Sequence, residues 1–138
     1  MQIIRWGKRF VIGVPQIDGE HERLFQVLNE VYDHFLRQGH CQAVNARFAF
    51  FIEQLSAVFS VEEQCMYAHD YRKLQEHAAE HRQFLQKLAT MQSGAEKEST
   101  VFSRFSFISI GNWLSLHILQ ADVKFAETLL LTRSNDAE

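Results

Sequence analysis

The stretch Leu74-Gln75-Glu76-His77-Ala78-Ala79-Glu80-His81-Arg82-Gln83-Phe84-Leu85-Gln86-Lys87-Leu88 places two histidines on what is otherwise an apolar helical stripe. Leu74, Phe84, Leu85 and Leu88 recur at the three-and-four spacing of an amphipathic helix, and His77 and His81 continue it. Residues four apart on a helix lie one above the other, about 6 Å along the axis, so both imidazoles can reach one metal ion. Buried histidines and carboxylates without partners are costly, and a cation among them would remove the penalty.

Three further helical patterns flank this one. Leu24, Val27, Leu28, Val31 and Phe35 mark the first, with Asp18 as its expected N-cap and Gly39 as its stop. The second is expected from about Gln42 to Tyr67, with Phe48, Phe51, Ile52, Leu55, Phe59, Glu62 and Met66 on one stripe. Asp70 is the expected cap of the helix holding His77 and His81. A polar break at Ser93-Gly94-Ala95-Glu96-Lys97 follows, and Ser99 is the expected cap of a fourth helix containing Phe105, Ile108, Trp113, Leu116 and Leu130 and ending near Arg133. Gly111 within it costs up to about 1 kcal/mol relative to alanine, which suits a close helix contact. Pro15 is the only proline, and its position leaves the later helices unbroken. Short links between long amphipathic helices imply an all-α, up-down-up-down four-helix bundle. The expected layout is one domain over residues 1–138: an extended N-terminal arm at 1–17, the bundle at 18–133 and a frayed polar tail at 134–138.

Bulk properties narrow the function. Hydrophobic residues make up 46% and charged residues 22%, the balance of an ordinary globular domain, and the net charge of −3 comes without a basic stripe, which argues against nucleic acid. No apolar run reaches the roughly 18 residues of a membrane span, and the N-terminus lacks the pattern of a signal peptide, so the expectation is a cytoplasmic protein with no membrane partner. Cys41 and Cys65, about 36 Å apart if one helix joins them, are expected as thiols. The 12 phenylalanines suit an aromatic core.

Seven metal-capable side chains fall in the four segments: Asp18 and His21, Glu62, His77 and His81, and His117 with Asp122. Asp18 reads better as a cap than as a ligand. Glu63 reads as solvated or paired on the surface, and His34, His40 and His69 as ordinary histidines. Imidazole and carboxylate donors without thiolates favour non-haem iron, with zinc or manganese as alternatives. Haem needs fewer histidines than this, and ferritin-like di-iron sites need two Glu-x-x-His repeats that the chain lacks.

The ordered set resembles the hemerythrin family from Trp6 to about Phe125. The matching pieces are Ile17-Asp18-x-x-His21 with Leu24-Phe25; Phe59-x-x-Glu62-Glu63-x-x-Met66; Tyr71 with His77-x-x-x-His81 and Phe84; and Trp113-Leu114-x-x-His117-Ile118-x-x-x-Asp122. The resemblance implies a four-helix bundle with a diiron centre that binds O2 reversibly. It assigns His77, His81 and His117 to one iron and His21 to the other, with Glu62 and Asp122 bridging. It also implies that Trp113, Leu114 and Ile118 line a small apolar pocket for the ligand.

One position departs. The family's second segment reads His-Phe-x-x-Glu, and here it is Val58-Phe59-Ser60-Val61-Glu62. Valine has no donor atom, and the iron that loses its ligand is the one that binds O2 in the family. His69 is about 10 Å from Glu62 along the helix, and His34 about 20 Å from His21, so neither replaces the lost imidazole. The expectation is an asymmetric centre: iron held firmly by three histidines, and a weaker, more open position at His21, with two irons if the site is complete or one firmly bound. The functions this implies are binding of O2 or another small diatomic for storage, delivery or sensing; reaction with peroxide or NO; or a degenerate mono-metal or structural bundle.

Overall fold

Proline at the first helical position starts α1 (Pro15–Gln38), three residues before the expected boundary. Its fixed φ suits the first turn, and its missing N–H is one the helix would not have used. Asp18 is therefore not the N-cap. It sits in the first turn, and its carboxylate accepts hydrogen bonds from the Ile12 and Gly13 N–H groups at 2.8 and 3.1 Å, tying the arm to the helix. Gly39 ends α1 with φ of +68°, a left-handed geometry that favours glycine.

The computed structural model describes residues 2–97 and 101–137, with side chains to residue 131. α2 (Gln42–Ala68) and α3 (Leu74–Lys97) follow, then α4 (Arg104–His117), a π-helical turn (Ile118–Asp122) and α5 (Val123–Ala137), which together form the fourth rod. Asp70 does not cap α3. It lies in the preceding turn at φ +52°, a conformation aspartate tolerates better than most residues. Ser99 lies outside the described residues. Ser103 caps α4 instead, in a reciprocal box: its Oγ accepts from Ser106 N–H at 3.1 Å, and Ser106 Oγ accepts from Ser103 N–H at 2.9 Å. The last helix runs on to Ala137 rather than stopping near Arg133.

α1 packs on α2, α2 on α3, and α1 on α4, giving the four-helix bundle. At one end Tyr32, Phe35, Phe48, Phe102 and Phe107 form an aromatic cluster, with Phe48 and Phe102 rings 4.9 Å apart. At the other, Met66, Phe125 and Leu129 close the core. In α4 the buried residues are Phe107, Ile110 and Leu114, whereas Phe105, Ile108 and Leu116 are exposed. No helix among the described residues is long and apolar enough to cross a membrane. Cys41 and Cys65 form no disulfide.

The arm runs along the bundle. Asn29 on α1 accepts from the Ile3 and Ile4 N–H groups at 2.9 and 3.2 Å and donates to the Ile4 carbonyl at 2.8 Å. The Ile3 carbonyl passes 3.8 Å from where a Gly111 side chain would begin, so the neighbour of this glycine is the arm and not a helix. Asn29→Ala is expected to destabilise the fold by about 1–3 kcal/mol, read by thermal melting, with faster amide exchange at Ile3 and Ile4. Unchanged exchange there would show that the arm is held by its apolar contacts alone.

Candidate metal centre

Six polar side chains meet between the two apolar ends, each buried to 6% exposure or less: His21 from α1, Glu62 from α2, His77 and His81 from α3, and His117 and Asp122 from the fourth rod. His77 and His81 share a face by their spacing of four. His117 and Asp122 are five apart, which in an α-helix would turn them about 140° from one another. The π turn resolves this. Val123 N–H donates to the Ile118 carbonyl five residues back, and the wider turn brings Asp122 round to the side of His117.

Three imidazole nitrogens converge. His117 Nε2 lies 3.0 Å from His81 Nε2 and 3.2 Å from His77 Nε2. An ion holding two imidazoles at about 2.1 Å and at right angles separates their nitrogens by about 3.0 Å. The observed spacing therefore fits three adjacent positions around one metal. Donor atoms of Glu62, His77, His81, His117 and Asp122 all lie within 4.8 Å of one another.

The carboxylates face two ways. Glu62 Oε2 lies 3.0 Å from His81 Nε2, and Asp122 Oδ1 lies 3.0 Å from His77 Nε2. Their other oxygens face His21, whose Nε2 is 2.5 Å from Glu62 Oε1 and 3.5 Å from Asp122 Oδ2. One side thus offers three nitrogens and two oxygens, the other one nitrogen and two oxygens. Val58, buried in the core one residue before Phe59, adds no donor. Both Asp122 oxygens and Glu62 Oε2 are buried without a hydrogen bond of good geometry despite these short distances. Acceptors aimed at a common centre, and not at a proton, are what a cation requires, so the residues present fit a metal.

Burial and neighbouring charges oppose one another across the cluster. Burial pushes the Asp122 pKa up to about 7, with the Glu62 charge adding to it. Burial also opposes ionisation of Glu62, but the neighbouring imidazoles of His21, His77 and His81 outweigh it and hold that carboxyl well below its usual range. For His77 burial is overcome by Asp122 and Glu62, and its pKa is pushed up to about 9. The same contest, with Glu62 foremost, leaves His21 raised. Burial dominates at His117 and takes it down to about 3.

Aromatic rings hold two of the imidazoles from the side. Phe59 stacks on His81 at 3.7 Å, and Trp113 stacks on His117 at 4.7 Å and on Phe84 at 3.7 Å. Trp113 also lines a cleft of about 370 Å³ with Phe84 and His117, while a smaller one of about 170 Å³, lined by Tyr71, Lys73, Glu80 and Lys124, reaches His77 and His117. Leu114 and Ile118 are core residues that line neither. His34, His40 and His69 stay outside the cluster, and His69 Nδ1 contacts the Cys65 carbonyl at 2.8 Å. Glu63 is not merely a surface group: its Oε2 accepts from His81 Nδ1 at 2.9 Å. Glu80, which directly precedes His81, lies 3.3 Å from His117 Nδ1.

The model of the hemerythrin HHE cation binding domain matches residues 12–129 of the chain. The chain is also similar to a bacteriohemerythrin of Clostridium acetobutylicum, 23% identical over 128 residues that span 88% of this chain and 98% of that protein.

Proposed function

We infer that this chain, which belongs to the hemerythrin family, is a non-haem iron protein that binds O2 or a related small diatomic molecule at the His/Glu/Asp cluster. His77, His81 and His117 would hold one iron, His21 the other, and Glu62 and Asp122 would bridge. The observation that carries this reading is the two-way disposition of the carboxylates, one oxygen of each toward the three histidines and one toward His21. Bound iron would supply the electron-rich centre to which a diatomic attaches. The protein's part is to orient the donors and to keep water from them. Trp113, stacked on His117, and the core residues Leu114 and Ile118, within one turn of it, would keep the surroundings apolar, which disfavours charge separation and so slows superoxide loss. We assign the protein to the cytoplasm, where thiols such as Cys41 and Cys65 stay reduced.

Val58 makes the two ends unequal. Five donors on one side against three on the other imply one firmly held iron and one more weakly held. Iron analysis and an optical spectrum of freshly purified protein test this. Oxo-bridged diferric absorption in the near-ultraviolet supports two irons, a lone ferric signal supports one, and purified protein that takes up no iron contradicts the reading. Val58→His is expected to raise iron retention toward two per chain and to slow autoxidation; unchanged retention would remove Val58 as the cause of asymmetry. The smaller donor set at His21 favours a second reading, reaction with peroxide or NO, which steady peroxide turnover with a simple reductant would establish.

A further inference from the structure

The three-histidine end has an outer layer that the His21 end lacks. His81 is gripped on every side: Nε2 faces Glu62 at 3.0 Å, Nδ1 donates to Glu63 at 2.9 Å, and Phe59 covers its face. His117 is arranged alike, with Glu80 at Nδ1 and Trp113 on its face. His21 Nδ1 is buried with no partner. The helix produces the first of these clamps economically. Consecutive residues on α2 diverge by about 100°, so Glu62 points inward while Glu63 reaches around the edge of α3 to the outer nitrogen of the same imidazole.

Resting on the metal-binding reading above, we propose that Glu63, with a weaker contribution from Glu80, is a positioning residue that fixes the imidazole tautomer and tunes the metal at the three-histidine end. A proton held on Nδ1 by a carboxylate leaves the Nε2 lone pair free and inward, and the negative charge makes that nitrogen a stronger donor. A stronger donor favours the ferric state and so lowers the reduction potential. Glu63 dominates because it is closer and its side chain is 34% exposed, against 55% for Glu80. Solvent screens the latter more strongly. The outer layer thus reinforces the inequality that Val58 creates, and the first metal equivalent goes to the three-histidine end.

The test is anaerobic titration of the metal-free full chain with iron(II) against a chromophoric chelator, together with the midpoint potential of the first iron bound. Glu63→Leu is expected to weaken the first equivalent by roughly 10- to 100-fold and to raise its potential. Glu63→Gln, which keeps an acceptor but not the charge, is expected to recover most of the affinity while the potential stays raised. Glu80→Gln is expected to shift both less. Wild-type affinity and potential in Glu63→Leu, where His81→Ala abolishes binding, would overturn the proposal and leave the metal site standing. A fall in affinity matched by a lower metal-free melting temperature at unchanged potential would mark Glu63 as a packing residue and overturn it too. Failure of the unaltered chain to bind iron(II) would overturn the metal-binding reading itself, and this proposal with it.

Discussion

Replacing His77, His81 or His117 with alanine is expected to lower iron(II) affinity by roughly 100-fold or more, beyond the range that an outer-layer partner is worth. Each contributes one nitrogen to a set whose mutual spacing of 3.0 and 3.2 Å leaves no slack. On the proposed reading, losing one would remove a metal bond and would also strip a neighbour from the buried acids: His81 faces Glu62, and His77 faces both Glu62 at 3.7 Å and Asp122 at 3.0 Å. His34→Ala and His69→Ala serve as controls, since neither residue joins the cluster. Competition against a chelator reads the difference. Equal losses in the controls and in the cluster variants would mean that the iron sits elsewhere.

Removing the metal is expected to lower the melting temperature by on the order of 10–20 °C. Free metal at a thousandfold excess over its dissociation constant stabilises a folded protein by about 4 kcal/mol, and each kcal/mol moves the midpoint of a domain this size by several degrees. Without a cation the cluster would leave two acids at 1% exposure, with three of their four oxygens lacking a well-formed hydrogen bond. Chelation followed by calorimetry measures the shift, and re-addition of iron(II) should reverse it. The pH dependence has a definite sign. His77, pushed up to about 9, must give up a proton when the ion binds at pH 7, whereas His117, at about 3, is already neutral. Affinity should therefore rise as pH increases from 7 toward 9 and fall in acid. A chelated protein that melts at the original temperature would make the cluster a structural one.

The bundle was legible because α1 and α3 carry clear amphipathic stripes, α2 is a long proline-free run between turns, and Gly39 stops α1 as its sequence implies. The fourth rod was harder. With Phe105, Phe107, Ile108, Ile110, Trp113, Leu114 and Leu116 in twelve residues, α4 is apolar nearly all round, so periodicity alone could not choose its inward face. Helix ends were misplaced where rival caps stood nearby: Pro15 took precedence over Asp18, and Asp70 was used for its left-handed turn.

Within the site, the inward residues were legible from polar groups on apolar stripes. The five-residue step from His117 to Asp122 already carried the signal of a π turn, since no ideal α-helix puts such a pair on one face. Glu63 and Glu80 were not legible in that way. Each adjoins an inward residue of the cluster in the sequence, and helical periodicity assigns such neighbours to the surface. Only the packing of α2, α3 and α4 brings their carboxylates back to the outer nitrogens of His81 and His117.

Anomalous diffraction at the iron edge, from crystals of iron-loaded protein, addresses the metal centre most directly. The strongest peak should lie among the Nε2 atoms of His77, His81 and His117 and the facing oxygens of Glu62 and Asp122, with any second, weaker peak on the His21 side of the same carboxylates. Iron bound away from these side chains, or a peak at His21 stronger than the one at the three histidines, would contradict it.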